Sequence, residues 1–143
     1  MARIRVLVAD DHAILRAGLR MLITAQPDME VVGEACDSRE ALERACALAP
    51  DVLTLDLTMP GGGSIKLIES LRQECPRTRV VVLTMHDDPA YLRAVLAAGA
   101  FGYVVKTAAD AELLTAIRTV ARGRIFADLQ LSENKLPDRK SVV

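Results

Sequence analysis

Val52-Leu-Thr-Leu-Asp56-Leu-Thr-Met-Pro60-Gly-Gly-Gly63 is the stretch that decides how the chain is read. Four mostly apolar residues run into one carboxylate, and Pro and Gly follow within a few positions. A short apolar run bounded by turn residues marks a buried strand, here with Asp56 at its C-terminal edge. In open parallel α/β sheets that edge is where ligands bind. Asp56 is therefore expected at the mouth of a site.

The same pattern recurs on both sides of this stretch. Ile4 to Ala9 reads as a strand ending in Asp10-Asp11. From His12 to Ala25, apolar residues at Ile14, Leu15, Leu19, Leu22 and Ile23 have helical spacing, and Pro27 stops the helix. Met29 to Ala35 is a second strand. Asp37-Ser-Arg-Glu40 resembles a capping box opening a helix through about Leu48. Downstream of Asp56, Ser64 to about Glu74 is helical, closed by Pro76. Arg79 to Leu83 is a strand apolar on both faces, ending at Thr84. Asp88-Pro89 supplies an N-cap and first-turn pair for a helix ending near Gly99. Phe101 to Val105 is the fifth strand, ending at Lys106. Asp110 to about Arg122 is the fifth helix, with Gly123 as its stop. Arg124 to Val143 lacks a convincing period and is expected to be a linker or frayed tail.

Five strands alternating with five helices predict a doubly wound α/β domain with a parallel sheet and helices on both faces. With 143 residues the chain is long enough for one domain with a proper core. Hydrophobic residues make up 51% and aromatics only 3%, so the core must be aliphatic. A net charge of -1 gives no global pull toward nucleic acid or anionic lipid. Cys36, Cys46 and Cys75 match no metal-binding spacing, which suggests reduced thiols and a cytoplasmic protein. No apolar run approaches the length of about 18 residues that reads as a membrane span, and no signal-peptide pattern opens the chain.

The strand ends carry the chemistry. Asp10 and Asp11, Asp56, Thr84 and Lys106 all fall on one edge of such a sheet. Three ionised carboxylates in one place repel and need a cation. An oxygen-only donor set with few protein ligands suits Mg²⁺. One Lys cannot balance three negative charges, but Lys with a divalent ion can. Both cations also suit an incoming phosphoryl group, with Asp56 as the natural nucleophile. Taken singly, each residue has an ordinary explanation. Asp11 is a turn residue or cap, Thr84 a strand-end hydroxyl, Lys106 a solvated charge and Tyr103 a packing residue. His12 and His86 read as surface residues, and Asp87-Asp88 as a helix cap. Only the conjunction points to a site.

Asp10-Asp11, Asp56 in LDLTMPGG, Thr84 in VVVLTMH and Gly102-Tyr-Val-Val-Lys106 together resemble the receiver domain of two-component response regulators. The resemblance covers roughly Arg3 to Gly123. The segment LTMHDDPAYLRAVLAAGAFGYVVKTA looks most like the NarL/FixJ subgroup, which usually carries a LuxR-type helix-turn-helix after the receiver. It implies a flavodoxin-like three-layer (βα)5 sandwich of strand order 2-1-3-4-5. It implies that Asp56 accepts phosphate from a sensor histidine kinase. Asp11 and Asp56 would bind Mg²⁺ directly, with the Thr58 carbonyl as a third ligand and Asp10 acting through water. Lys106 would pair with the phosphoryl group and Thr84 would hydrogen-bond it. Tyr103 would turn inward as Thr84 moves, remodelling the fourth helix, fifth strand and fifth helix, with a homodimer following phosphorylation.

Two departures from the family pattern stand out. Thr107 follows Lys106 where many receivers have Pro. The 20 residues after Gly123 are too few for a helix-turn-helix. The expected division is thus a receiver at 1–123 and a linker or tail at 124–143. DNA contact would come only through a further C-terminal domain. The protein is expected to be a phosphorylation switch and not an enzyme. The alternatives are a stand-alone receiver, a pseudo-receiver adaptor, or an aspartyl-phosphate phosphatase. Haloacid-dehalogenase-like phosphatases want an Asp at the position of Thr58.

Overall fold

The computed structural model describes residues 2–57, 64–85, 88–106 and 110–127. Their order is β1 (Ile4–Ala9), α1 (Ala13–Thr24), β2 (Met29–Ala35), α2 (Ser38–Leu48), β3 (Val52–Asp56), α3 (Ser64–Glu74), β4 (Arg79–Thr84), α4 (Pro89–Ala98), β5 (Gly102–Val105) and α5 (Asp110–Ala121). The strands pair in parallel in the order β2-β1-β3-β4-β5. This is the flavodoxin-like doubly wound arrangement.

Successive side chains of a strand point to opposite faces, so a strand buried on both sides feeds two cores. Leu7, Leu53, Leu55, Val80, Val82 and Tyr103 face one core, closed by Ala41 and Ala45 of α2, Ile68 and Leu71 of α3, and Leu92 and Val95 of α4. Val6, Val8, Val52, Val81, Leu83 and Val104 face the other, closed by Ile23 of α1 and Leu113, Ile117 and Val120 of α5. Burying one such aliphatic side chain contributes about 2 kcal/mol. The three-layer order follows from this alternation.

Local signals set the boundaries. The Asp37 side chain accepts from the Glu40 N–H at 2.8 Å. Glu40 Oε1 accepts in return from the Cys36 N–H at 2.9 Å, one residue before the cap instead of at the cap itself. Asp88 caps α4 through the Ala90 N–H at 3.0 Å, with Pro89 in the first turn. Gly99 (φ 124°) and Gly123 (φ 83°) end α4 and α5 in backbone conformations that a side chain would strain.

Two observations depart from the sequence pattern. The spacing in α1 places Ile14 and Leu15 on its apolar stripe, yet Ile14 is 86% exposed and Leu15 49%. They line an open cleft of about 320 Å³ with Leu19, Leu22, Val104 and Leu113, so the apolar stripe of α1 forms a wall of the cleft and Ile23 is the buried residue of the helix. Past Gly123 the chain also keeps its order for a few residues. Phe126 bridges to Gly102, donates to the Phe101 carbonyl at 2.8 Å and accepts from the Tyr103 N–H at 2.9 Å. Residues 124–127 thus cover the outer edge of β5. Residues 128–143 and Thr107 lie outside the described residues.

Candidate functional site

Parallel pairing puts the C-terminal ends of β1, β3, β4 and β5 on one edge, and the polar residue ending each strand stands there. The Asp10 N–H continues the ladder of β1 by donating to the Ala35 carbonyl at 3.0 Å, which fixes its backbone. Asp56 is the last residue of β3, registered against Leu83. Thr84 ends β4 beside Val105 of β5. Its carbonyl accepts from the Lys106 N–H at 2.6 Å, which holds the start of the β5–α5 connection at this edge.

The side chains converge. Lys106 Nζ is 3.1 Å from Asp56 Oδ1 and 3.7 Å from Asp10 Oδ2. Asp10 and Asp56 are both buried, and the Lys106 side chain is only 14% exposed. Ligand atoms of Asp10, Asp11, His12 and Asp56 all lie within 4.8 Å of one another. Among the described residues the edge thus sets one lysine ammonium against a cluster of three carboxylates.

Two of its oxygens, Asp10 Oδ2 and Asp11 Oδ1, are buried and accept no hydrogen bond. Lys106 Nζ stands 3.7 Å from Asp10 Oδ2 and the His12 ring nitrogen Nδ1 3.1 Å from Asp11 Oδ1, neither in hydrogen-bonding geometry. Buried carboxylate oxygens without donors are costly unless a cation meets them. Hard oxygen donors at this spacing suit a divalent ion such as Mg²⁺, which keeps much of its water and takes one or two carboxylates. The residues present fit such an ion.

The sequence pattern had assembled Asp10, Asp11, Asp56, Thr84 and Lys106 on one edge, and the structure places all five there. Tyr103 sits two residues before Val105 with its side chain wholly buried among the residues of the α2–α3–α4 face. Thr58, whose carbonyl was expected among the metal ligands, lies outside the described residues, as do His86 and Asp87. Two residues of the site were not singled out by the pattern. His12 is exposed, as expected, yet its N–H donates to Asp10 Oδ1 at 2.8 Å and its ring reaches Asp11. Arg16 donates to the Asp10 carbonyl at 2.6 Å while its Nε binds Glu34 at 2.8 Å, so it ties the β1–α1 turn to β2. Adjacency to Asp10-Asp11 is the one hint the sequence held for His12.

Comparison with known proteins agrees with this geometry. The family model described as the response regulator receiver domain matches residues 6–118. The oxygen regulatory protein NreC of Staphylococcus haemolyticus is 43% identical over 129 residues, covering 90% of this chain. The chain spans 59% of that relative's length. A LuxR-family two-component response regulator from Aurantimonas sp. SI85-9A1 superposes with a TM-score of 0.89 at 36% identity, covering 96% of this chain and 99% of that one. The RcsB response regulator of Salmonella typhimurium, in a structure concerned with DNA interaction, gives a TM-score of 0.84 at 34% identity. That match covers 93% of this chain and 65% of RcsB.

Proposed function

The chain belongs to the response regulator receiver domain family, and from that premise we propose that Asp56 is its phosphoacceptor. The observation that carries this is the Lys106 ammonium 3.1 Å from Asp56 Oδ1, inside a cluster of three carboxylates. A buried carboxylate beside one cation and two more acids is held for chemistry, not for stability.

Asp11 and Asp56 would hold Mg²⁺ directly, with the Thr58 carbonyl as a further ligand and Asp10 acting through water. The ion, when bound, neutralises the carboxylates and the oxygens of the incoming phosphoryl group. Asp56 attacks the phosphorus of a phospho-histidine in line. The P–N bond breaks, its electron pair leaves with the imidazole, and an acyl phosphate remains on Asp56. Lys106 exchanges its contact with Asp56 Oδ1 for a phosphoryl oxygen. Thr84, on the neighbouring strand end, supplies a hydroxyl to another. Little covalent work is asked of the protein beyond placement and charge balance.

The donor is a sensor histidine kinase, and the readout runs through Thr84 and Tyr103. The Tyr103 ring is packed inside the core in this structure, next to the strand end that Thr84 closes. Phosphorylation then selects one arrangement of α4, β5 and α5 over another, and that surface controls homodimer formation. Moving such an equilibrium from minor to dominant takes a few kcal/mol. Residues 1–123 act as the receiver, and 124–127 dock on the edge of its fifth strand. DNA is reached only through a further domain, as in full-length regulators of this type. Among the described residues no helix is long and apolar enough to cross a membrane; the cytoplasm is the proposed place of action.

A small phosphodonor such as acetyl phosphate tests the assignment. With Mg²⁺, intact mass spectrometry is expected to show one added phosphate, absent in Asp56→Asn and absent with chelator. Equal labelling of Asp56→Asn overturns it.

A further inference from the structure

Two sulfurs distant in the sequence meet between α2 and α3. Cys46 lies in the last turn of α2, and Cys75 follows the last residue of α3, its N–H donating to the Leu71 carbonyl at 2.8 Å. Their Sγ atoms are 2.8 Å apart. That is well inside the separation two non-bonded sulfurs keep, and a covalent S–S bond would need only about 2.05 Å. Cys46 is exposed and Cys75 is buried behind it. Cys36 is exposed and bonded to Glu40.

We infer that Cys46 and Cys75 form a reversible disulfide, a modification site that ties α2 to α3 when the chain meets a small disulfide such as oxidised glutathione. The Cys46 thiolate attacks one sulfur of oxidised glutathione, whose S–S bond breaks and releases one glutathione thiolate. Cys75 then gives its proton to solvent and attacks Cys46 Sγ, and the second glutathione leaves. Two protein thiols are oxidised and one external disulfide is reduced to two thiols. Accessibility sets the order, since of these two only Cys46 faces solution. Burial, then the hydrogen bond to Cys46 and the charge of its thiolate, push the Cys75 thiol up to about 12. Burial and the Glu74 charge still hold that thiol up once Cys46 carries glutathione, so it is the 2.8 Å approach of the two sulfurs that makes Cys75 the resolving thiol.

Helices that follow parallel strands end at the strands' N-terminal edge, opposite Asp56. The bond therefore stiffens the α2–α3 layer without touching the carboxylate cluster.

The reduced 143-residue chain, incubated with oxidised glutathione, tests this by thiol titration, peptide mapping and thermal unfolding. The expected result is loss of the Cys46 and Cys75 thiols, a Cys46–Cys75 linked peptide, and a melting midpoint raised by about 10 °C that a reductant reverses. Cys36→Ser should behave like the parent. Cys75→Ala should stop at the mixed disulfide on Cys46. Cys46→Ser, an exposed change that spares the core, should form no intramolecular bond. A parent chain that also stops at the mixed disulfide, keeps all its thiols, or links only between molecules overturns the proposal.

Discussion

Replacing Lys106 with Met isolates the charge balance of the acidic pocket. The ammonium stands 3.1 Å from one carboxylate oxygen and 3.7 Å from another. At an effective dielectric of about 20 these contacts are worth about 5 and about 4.5 kcal/mol of gross attraction. Most of that offsets the cost of burying the three ions. What the variant loses is the difference, because Asp10 and Asp56 stay buried with no cation between them. Removing one partner of a buried pair typically costs about 3–5 kcal/mol. The lysine keeps some contact with water, so about 3 kcal/mol is the expected loss. Urea unfolding in chelator at pH 7 reads it as a lower midpoint at unchanged slope. Saturating Mg²⁺ should narrow the gap, because the more negative pocket gains more from the ion. For scale, ligand at a hundredfold its Kd stabilises by about 2.7 kcal/mol. A Lys106→Met chain as stable as the parent, or more stable, would refute the reasoning. It would mean that Lys106 does not neutralise charges confined in that pocket.

Asp37→Ala removes the cap of α2 and should cost about 1 kcal/mol in the same urea assay, leaving Mg²⁺ binding unchanged. Hydrogen bonding to Arg118 at 2.8 and 3.0 Å holds the Asp28 carboxyl below its ordinary range. A lowered folded value stabilises above the ordinary carboxylate range and fades as pH falls through the lowered value. Arg118→Gln should therefore be slightly less stable than the parent at pH 6, by under about 1 kcal/mol since the pair is exposed. The two melting curves should converge in strong acid. A chain ended at Gly123 loses the two Phe126 backbone hydrogen bonds and the packing of its ring, so its melting midpoint should fall by several degrees, about 2 kcal/mol. An unchanged midpoint would show that residues 124–127 add nothing to the fold.

The site was legible because of topology more than because of any single residue. Val80–Leu83 is apolar on both faces and Val52–Leu55 nearly so, with Thr54 its one hydroxyl, which only a sheet covered twice can bury. Once the strands are parallel, whatever polar residue ends each strand must meet the others. That is why Asp10, Asp56, Thr84 and Lys106 could be grouped before any distance was known. The order of strands was not in the periodicity; it came with the resemblance. Features that depend on one side chain crossing to another element stayed hidden. Cys46 and Cys75 are 29 residues apart and adjoin only because α2 packs beside α3. Arg16 reads as one more helical charge until β2 places Glu34 against it. Ile14 and Leu15 satisfy the helical period and are nonetheless exposed, since periodicity names a face but not how far its neighbours extend. Ile125-Phe126 is too short to show a period, so the docking of Phe126 on β5 had no sequence signal.

The most direct measurement is the position of the acyl phosphate in the chain. Phosphorylated protein is reduced with borohydride, which converts an aspartyl phosphate to homoserine, and is then sequenced by tandem mass spectrometry. Conversion confined to position 56 is the predicted result. Conversion at Asp10 or Asp11, or a phosphate found on a hydroxyl or histidine side chain, would contradict the account.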